Sequence, residues 1–142
     1  MIRAGDIMSE EVIVVQPDMS VRQVVHLMLR DRVSGFPVVD KVKGLVGVIT
    51  MQNFIRMVHS YSQVHQIDEF YRNLRRIQEK SVEDFLAVDF VTITPDTDLH
   101  EILQLLIDHD VGTFPVMENG HLVGIVSGHD IMNAIFSFDP DS

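Results

Sequence analysis

LVGVITMQN, residues 45–53, returns 77 positions later as LVGIVSGHD, residues 122–130. In each copy a short apolar run with one glycine gives way to a hydroxyl residue, Thr50 or Ser127, and three positions on to Asn53 or Asp130. An apolar run of this length reads as a strand, and a hydroxyl followed by a short polar residue reads as the start of a helix. Working outward at an offset of 78, DIMSEEVIVVQPDMS from Asp6 lies over DFLAVDFVTITPDTD from Asp84, with Pro17 on Pro95, Asp18 on Asp96, Phe36 on Phe114 and Pro37 on Pro115. Past these prolines the offset falls to 77, because DKVKGLVG is one residue longer than ENGHLVG. Two such units are too few for a solenoid, which needs three or more, so a pseudo-symmetric pair is expected.

Within each unit the hydrophobic period changes in the same order. VIVV and FVTI read as strands ended by Pro-Asp turns. Val21, Val24, Val25 and Met28, and again Leu99, Ile102, Leu103 and Leu106, then recur at helical spacing. Ser20 starts the first of these helices, and Asp98 with Glu101 starts the second. FPVVD or FPVME, a polar turn with Gly44 or Gly120, and LVGVI or LVGIV predict a hairpin, after which TMQNFIRMV and SGHDIMNAI return to helical spacing. The expected fold class is α+β: two β-α-β-β-α repeats packed as one module. Their bounds are residues 1–58 and 82–137, with a connecting helical segment at 59–81 and a tail at 138–142. In that segment Ile67, Phe70, Tyr71, Leu74 and Ile77 share a face, with Arg72, Arg75, Arg76 and Lys80 mostly off it. It reads either as a helix lying on the core or as one that docks on another subunit or partner.

Composition narrows the function. A formal net charge of −10 argues against nucleic acid as a partner. The acids are unevenly spread, since residues 82–142 hold twelve Asp/Glu and no Lys or Arg. The longest apolar runs fall far short of the roughly 18 residues that a membrane helix needs. The N-terminus has acids where a secretory signal would place its apolar stretch, so a cytoplasmic location is expected. With no cysteine, thiolate catalysis and thiolate metal sites are excluded. The seven histidines are scattered rather than spaced as metal ligands. No nucleophile elbow, zincin motif or phosphate-binding glycine loop is present, so the chain is not expected to be an enzyme.

The repeated junctions admit two explanations. Thr50 with Asn53, and Ser127 with Asp130, suit helix capping. The same geometry suits an anion at a helix N-terminus, with a carboxylate one turn later accepting from a ribose diol. Gly47 and Gly124 would admit a ligand or strand, or relieve crowding in the hairpin.

The order β-α-β-β-α, the phrases SGFPVVD and GTFPVME, and the closing patterns from Gly47 to Asn53 and from Gly124 to Asp130 resemble the cystathionine β-synthase (CBS) domain, here as a tandem pair. The resemblance implies a regulatory module that binds an adenosine-containing ligand (AMP, ADP, ATP or S-adenosylmethionine), with Mg²⁺ as a candidate counter-ion, in clefts between the repeats. It implies a homodimer that signals to an unidentified regulated protein. Carried over by motif, Ser127 meets phosphate, Asp130 the ribose, Thr92 and Ile93 the base, Phe114 and Pro115 wall the pocket, and Thr113 offers a hydroxyl. In the first repeat Thr50 meets phosphate, Asn53 stands where the ribose carboxylate would be, Val14 and Val15 lie by the base, and Gly35, Phe36 and Pro37 follow. His129 is the one candidate cation near the second junction. Others would come from Arg32, Lys41, Lys43, Arg56 or the arginines of residues 59–81. Asp130 is therefore expected to mark the better nucleoside site. The alternatives are a protein-interaction module with empty clefts and a metal sensor.

Overall fold

The structure, a computed structural model, describes residues 1–33, 35–86 and 90–141. Ser34 of the SGFPVVD phrase, residues 87–89 of the DFLAVDFVTI phrase and Ser142 of the tail lie outside it. The elements in chain order are α1 (Ala4–Ile7), α2 (Val21–Asp31), β1 (Gly35–Asp40), β2 (Gly44–Thr50), α3 (Met51–Tyr61), α4 (Ile67–Glu79), a 3₁₀ turn (Val82–Phe85), α5 (Leu99–His109), β3 (Thr113–Glu118), β4 (His121–Ser127) and α6 (Gly128–Ser137). They form two compact units. One is Ile13–Asp89, and the other joins Met1–Val12 to Phe90–Ser142.

Local chemistry explains where the helices start. The Ser20 hydroxyl accepts from Gln23 N–H at 3.1 Å while the Gln23 side-chain oxygen accepts from Ser20 N–H at 2.9 Å, satisfying two donors that would otherwise lack partners. Asp98 caps α5 through His100 N–H at 2.8 Å. The expected stripes face inward: Val21, Val24 and Met28 are buried in α2, and Ile102 in α5 is buried with Leu99, Leu103 and Leu106 packed beside it. Each buried aliphatic stabilises its unit by roughly 1.5–3 kcal/mol.

Each unit carries one antiparallel hairpin, β1 with β2 and β3 with β4. The offset change is located in their turns. Asn119 and Gly120, at φ 52° and 78°, make a two-residue turn with two positive φ angles, which favours Asn-Gly. In the other hairpin three residues follow Asp40 before Gly44, at φ 80°. The Asp40 carboxylate accepts from Val42 N–H at 2.8 Å and Lys43 N–H at 3.0 Å. Those backbone bonds, Lys43 first, hold its carboxyl below the ordinary carboxylate range.

The two leading strands are shorter than VIVV and FVTI suggest. Val15 bridges Val38 and Ile93 bridges Val116, each in parallel and each as a single isolated bridge. The prolines explain this. Val15 N–H donates to Pro37 O and Val15 O accepts from Val39 N–H; Ile93 does the same with Pro115 and Met117. The next ladder donors would be the nitrogens of Pro37 and Pro17 in one unit and of Pro115 and Pro95 in the other, and proline has no N–H.

The compact units also divide the chain differently from the repeats, because each leading segment folds onto the other repeat. α1 and the residues around it pack against β4 and α6: Ser9 exchanges hydrogen bonds of 2.9 and 3.0 Å with Ile125, and Ala4 N–H donates to Thr97 O at 2.8 Å. The turn Val82–Phe85 closes on the Ile13–Asp89 unit, where Val82 N–H donates to Met19 O at 2.9 Å and Val82 is fully buried. Hydrophobic periodicity marks such a segment as apolar but not which hairpin it will join.

Gly124 is now accounted for by this packing rather than by a ligand. A Cβ there would stand 2.6 Å from Met8 Sδ and 3.1 Å from Ser9 O. Gly124→Ala is expected to lower the stability of this unit by about 1–3 kcal/mol, as overpacking does, read as a lower midpoint in urea unfolding.

Candidate functional site

Both repeated junctions are closed capping boxes. At the start of α6 the Asp130 Oδ2 accepts from Ser127 N–H at 2.8 Å and from the Ser127 hydroxyl at 3.0 Å, while Asp130 N–H donates to Ser127 Oγ at 3.4 Å. At the start of α3 the Asn53 Oδ1 accepts from Thr50 N–H at 2.7 Å and from the Thr50 hydroxyl at 2.8 Å, while Asn53 N–H donates to Thr50 Oγ1 at 3.2 Å. So capping is real at both, and it uses the groups the resemblance assigns to a ligand.

What the caps leave over differs. A carboxylate has two oxygens, and only Oδ2 of Asp130 is engaged, so Oδ1 keeps its full acceptor capacity. An amide has one oxygen, and in Asn53 two donors occupy it. Those donors fix the amide orientation, because an NH₂ group cannot accept from them. The group Asn53 has left is therefore Nδ2, a donor. A ribose hydroxyl that donates finds an acceptor at Asp130 and none at Asn53.

The remaining expected residues lie along the hairpins and the leading segments, each set inside its own unit. Thr113 pairs with Ser127 across the β3–β4 ladder, and Gly35 pairs with Thr50 across β1–β2. Thr113 is the buried polar residue of the chain among the described residues, at 6% exposure. Phe36, Pro37, Phe114 and Pro115 are buried core residues whose side chains hold the hairpins. Val15 and Ile93 are buried at their bridges, while Val14 and Thr92 beside them are exposed. His129 is exposed on the first turn of α6. The α6 N-terminus is partly spoken for, since Gly128 N–H donates to Gly112 O at 3.1 Å.

The sequence reading missed one cation. Arg3 belongs to the unit that otherwise contains no Lys or Arg, and it lies 3.7 Å from Asp96. That unit holds twelve acids against this single arginine, a net charge of −11, while Ile13–Asp89 holds ten Lys/Arg against nine acids, net +1. The candidate cations Arg32, Lys41, Lys43, Arg56 and the arginines of α4 all lie in the near-neutral unit. No signal in the repeat points to Arg3, which enters through the exchanged leading segment. Among the described residues no three His, Asp or Glu side chains gather as a metal site, and no helix is long and apolar enough to cross a membrane.

The comparisons with known proteins agree with the fold. The CBS domain model matches residues 4–60 and 82–137. The chain belongs to the CBS domain family and is a tandem CBS pair, a kind of module that is generally regulatory rather than catalytic. It is 23% identical to the uncharacterized protein MJ1426 of Methanocaldococcus jannaschii, over 92% of this chain and 89% of that protein. It is 28% identical to the inosine-5'-monophosphate dehydrogenase of the same organism, over 92% of this chain but only 23% of the enzyme. Among solved structures, CBSX2 in complex with AMP superposes with a TM-score of 0.72 at 24% identity, covering 94% of this chain and 96% of that one. The CBS pair of protein MJ0100, in complex with 5'-methylthioadenosine and S-adenosylmethionine, gives a TM-score of 0.73 at 18% identity, covering 95% and 96%.

Ser127→Ala is expected to cost about 0.5–2 kcal/mol through loss of the α6 cap. Asn53→Asp keeps its cap and adds a negative charge in the first turn of α3, so a gain of about 0.3–1 kcal/mol is expected. Urea unfolding of both variants beside the parent checks the pair.

Proposed function

We propose that the chain is a ligand-sensing regulatory module that binds an adenosine-containing ligand and reports it to a regulated protein. The observation that carries this reading is the Asp130 oxygen left over by the α6 cap, an acceptor one turn into the helix beside Ser127 and Thr113. The ribose 2′- and 3′-hydroxyls are donors that fit it. The AMP bound to CBSX2 and the S-adenosylmethionine bound to the MJ0100 pair support the ligand class. The occurrence of a similar stretch inside a dehydrogenase supports the role of attachment to a larger activity. In this reading the module is a homodimer, and ligand shifts the balance between states that the regulated protein distinguishes.

Charge selects among the candidates. A unit of net charge −11 repels a triphosphate more than a monophosphate, and favours a sulfonium. S-adenosylmethionine and AMP are therefore the preferred ligands, with ATP weaker unless Mg²⁺ accompanies it.

A thermal-shift series with AMP, ADP, ATP and S-adenosylmethionine, with and without Mg²⁺, tests this. A saturating ligand at about a hundred times its dissociation constant adds about 2.7 kcal/mol of stability. Asp130→Asn keeps the cap but replaces the open acceptor with a donor. A charged hydrogen bond is worth about 1.5–3 kcal/mol, so affinity is expected to fall roughly 10- to 100-fold, while the unliganded stability falls by only about 0.3–1 kcal/mol through loss of the first-turn charge. No shift with any of the four compounds would favour the interaction module with empty clefts, and a shift with Zn²⁺ alone would favour the metal sensor.

A further inference from the structure

α4 is the part of the chain that the CBS repeats do not explain, since residues 61–81 lie outside both family matches. One face of it is used: Ile77 is buried, and Leu74 packs on the core of its unit. Away from that face Ile67 and Tyr71 are 66% and 63% exposed, and Asp68, Tyr71, Arg72, Arg75 and Arg76 line an open groove of about 570 Å³. Three arginines against one aspartate leave the groove at net +2 in a chain of net charge −10. The ion pairs among the described residues are Arg3–Asp96 and Arg30–Asp31, so no arginine of the groove is neutralised within the chain.

The spacing of these arginines concentrates their charge. Arg72 stands three residues before Arg75 and four before Arg76, the spacings at which side chains on a helix are neighbours and like charges repel. The helix dipole eases this for Arg76 in the last turn, and an anion in the groove removes it. Arginine is also the cation whose planar fork takes a carboxylate through two parallel hydrogen bonds. Four residues of helix advance about 6 Å, and alternate side chains of an extended peptide are about 6.7 Å apart. Two acids separated by one residue therefore reach Arg72 and Arg76 together. Asp68, one turn before Arg72, repels a further acid in that direction. What α4 offers there is apolar: Ile67 and the Tyr71 ring, which makes an edge contact with Phe70 at 5.2 Å between centroids.

We propose that this face of α4 is the docking surface for an acidic peptide segment of the regulated protein, extended along the helix with its acids on Arg72, Arg75 and Arg76 and an apolar residue over Ile67 and Tyr71. The proposal rests on the regulated protein named above, whose contact chemistry it supplies, and is independent of the adenosine ligand. The acids elsewhere in the chain do not forbid it, because α4 lies in the unit of net charge +1 and salt screens exposed charges beyond about 10 Å. A nucleic acid or an anionic bilayer spreads its charge over a surface much wider than the groove, and so meets the acids outside it as well.

Fluorescence anisotropy with the full chain tests it. The probe is a labelled peptide of alternating glutamate and serine that ends in leucine and phenylalanine. It is compared with its glutamine counterpart, with labelled oligothymidylate, and with cosedimentation on vesicles of equal phosphatidylserine and phosphatidylcholine. The parent is expected to bind the acidic peptide, less tightly as salt rises, and the glutamine peptide at least about tenfold more weakly. Arg75→Glu and Arg76→Glu, with circular dichroism confirming the fold, are each expected to weaken binding of the acidic peptide about tenfold. Arg3→Glu makes the same charge change in the other unit and is expected to alter it by less than about threefold. Tyr71→Ala is expected to weaken binding only when the peptide carries its leucine and phenylalanine. No binding of the acidic peptide, or binding that Arg75→Glu leaves unchanged or Arg3→Glu weakens equally, overturns the surface, while the adenosine reading is decided separately by Asp130→Asn. Tighter binding of oligothymidylate or of the vesicles than of the peptide, lost in Arg75→Glu, also overturns it and reassigns the face to that polyanion.

Discussion

A hydroxyl at the end of a strand, closing a hydrogen-bonded box with a short polar side chain three residues later, is the interaction on which the two proposed ligand sites depend. It ends β2 and β4, starts α3 and α6, and fixes the side chains of Thr50, Asn53, Ser127 and Asp130 in place. Because the box consumes one oxygen, the residue at its fourth position decides what remains. Asp130 retains an oxygen and Asn53 retains an amide nitrogen. The exchange of Asp130 for Asn53 at the fourth position of the box thus turns an acceptor site into a donor site while the same capping hydrogen bonds form at both.

The rest of each unit serves to hold that box. Phe36 and Phe114 are buried behind the hairpins, and Val38 and Val116 bind the shortened leading strands. Prolines at positions 17, 37, 95 and 115 trim those strands to single bridges, so the β1–β2 and β3–β4 ladders carry most of the strand pairing in their units. The other edge of β4 is closed by Ser9, which explains why Gly124 has no room for a side chain. The exchange of leading segments also brings Arg3 into the acidic unit, the one basic side chain from Lys or Arg that it contains.

Much of this was legible in the sequence. The internal repeat, the order of elements, the amphipathic faces of α2 and α5, the hairpins and both caps all follow from local periodicity and from residues with strong positional preferences. Of the expected site residues, Gly35 and Thr113 pair with the capping residues Thr50 and Ser127, while Val15 and Ile93 bridge Val38 and Val116 further along the hairpins. What local reading did not reveal was pairing at a distance. Nothing in DIMSE says that it will close on β4 rather than on β2, and hence nothing says that Arg3 belongs with the acids. The strand signal of VIVV and FVTI was overstated because the missing donors lie on the partner strand, at Pro37 and Pro115. The face of α4 was half legible: Leu74 and Ile77 pack inward as the spacing suggests, while Ile67 and Tyr71, on the same sequence stripe, stay exposed because the core ends before reaching them.

The central claim is that the two repeats are unequal in what they offer a ribose. Isothermal titration of the parent chain with AMP measures it directly through stoichiometry. The account predicts one strong site per chain, with any second event much weaker. Two sites of equal affinity, or none, would contradict it.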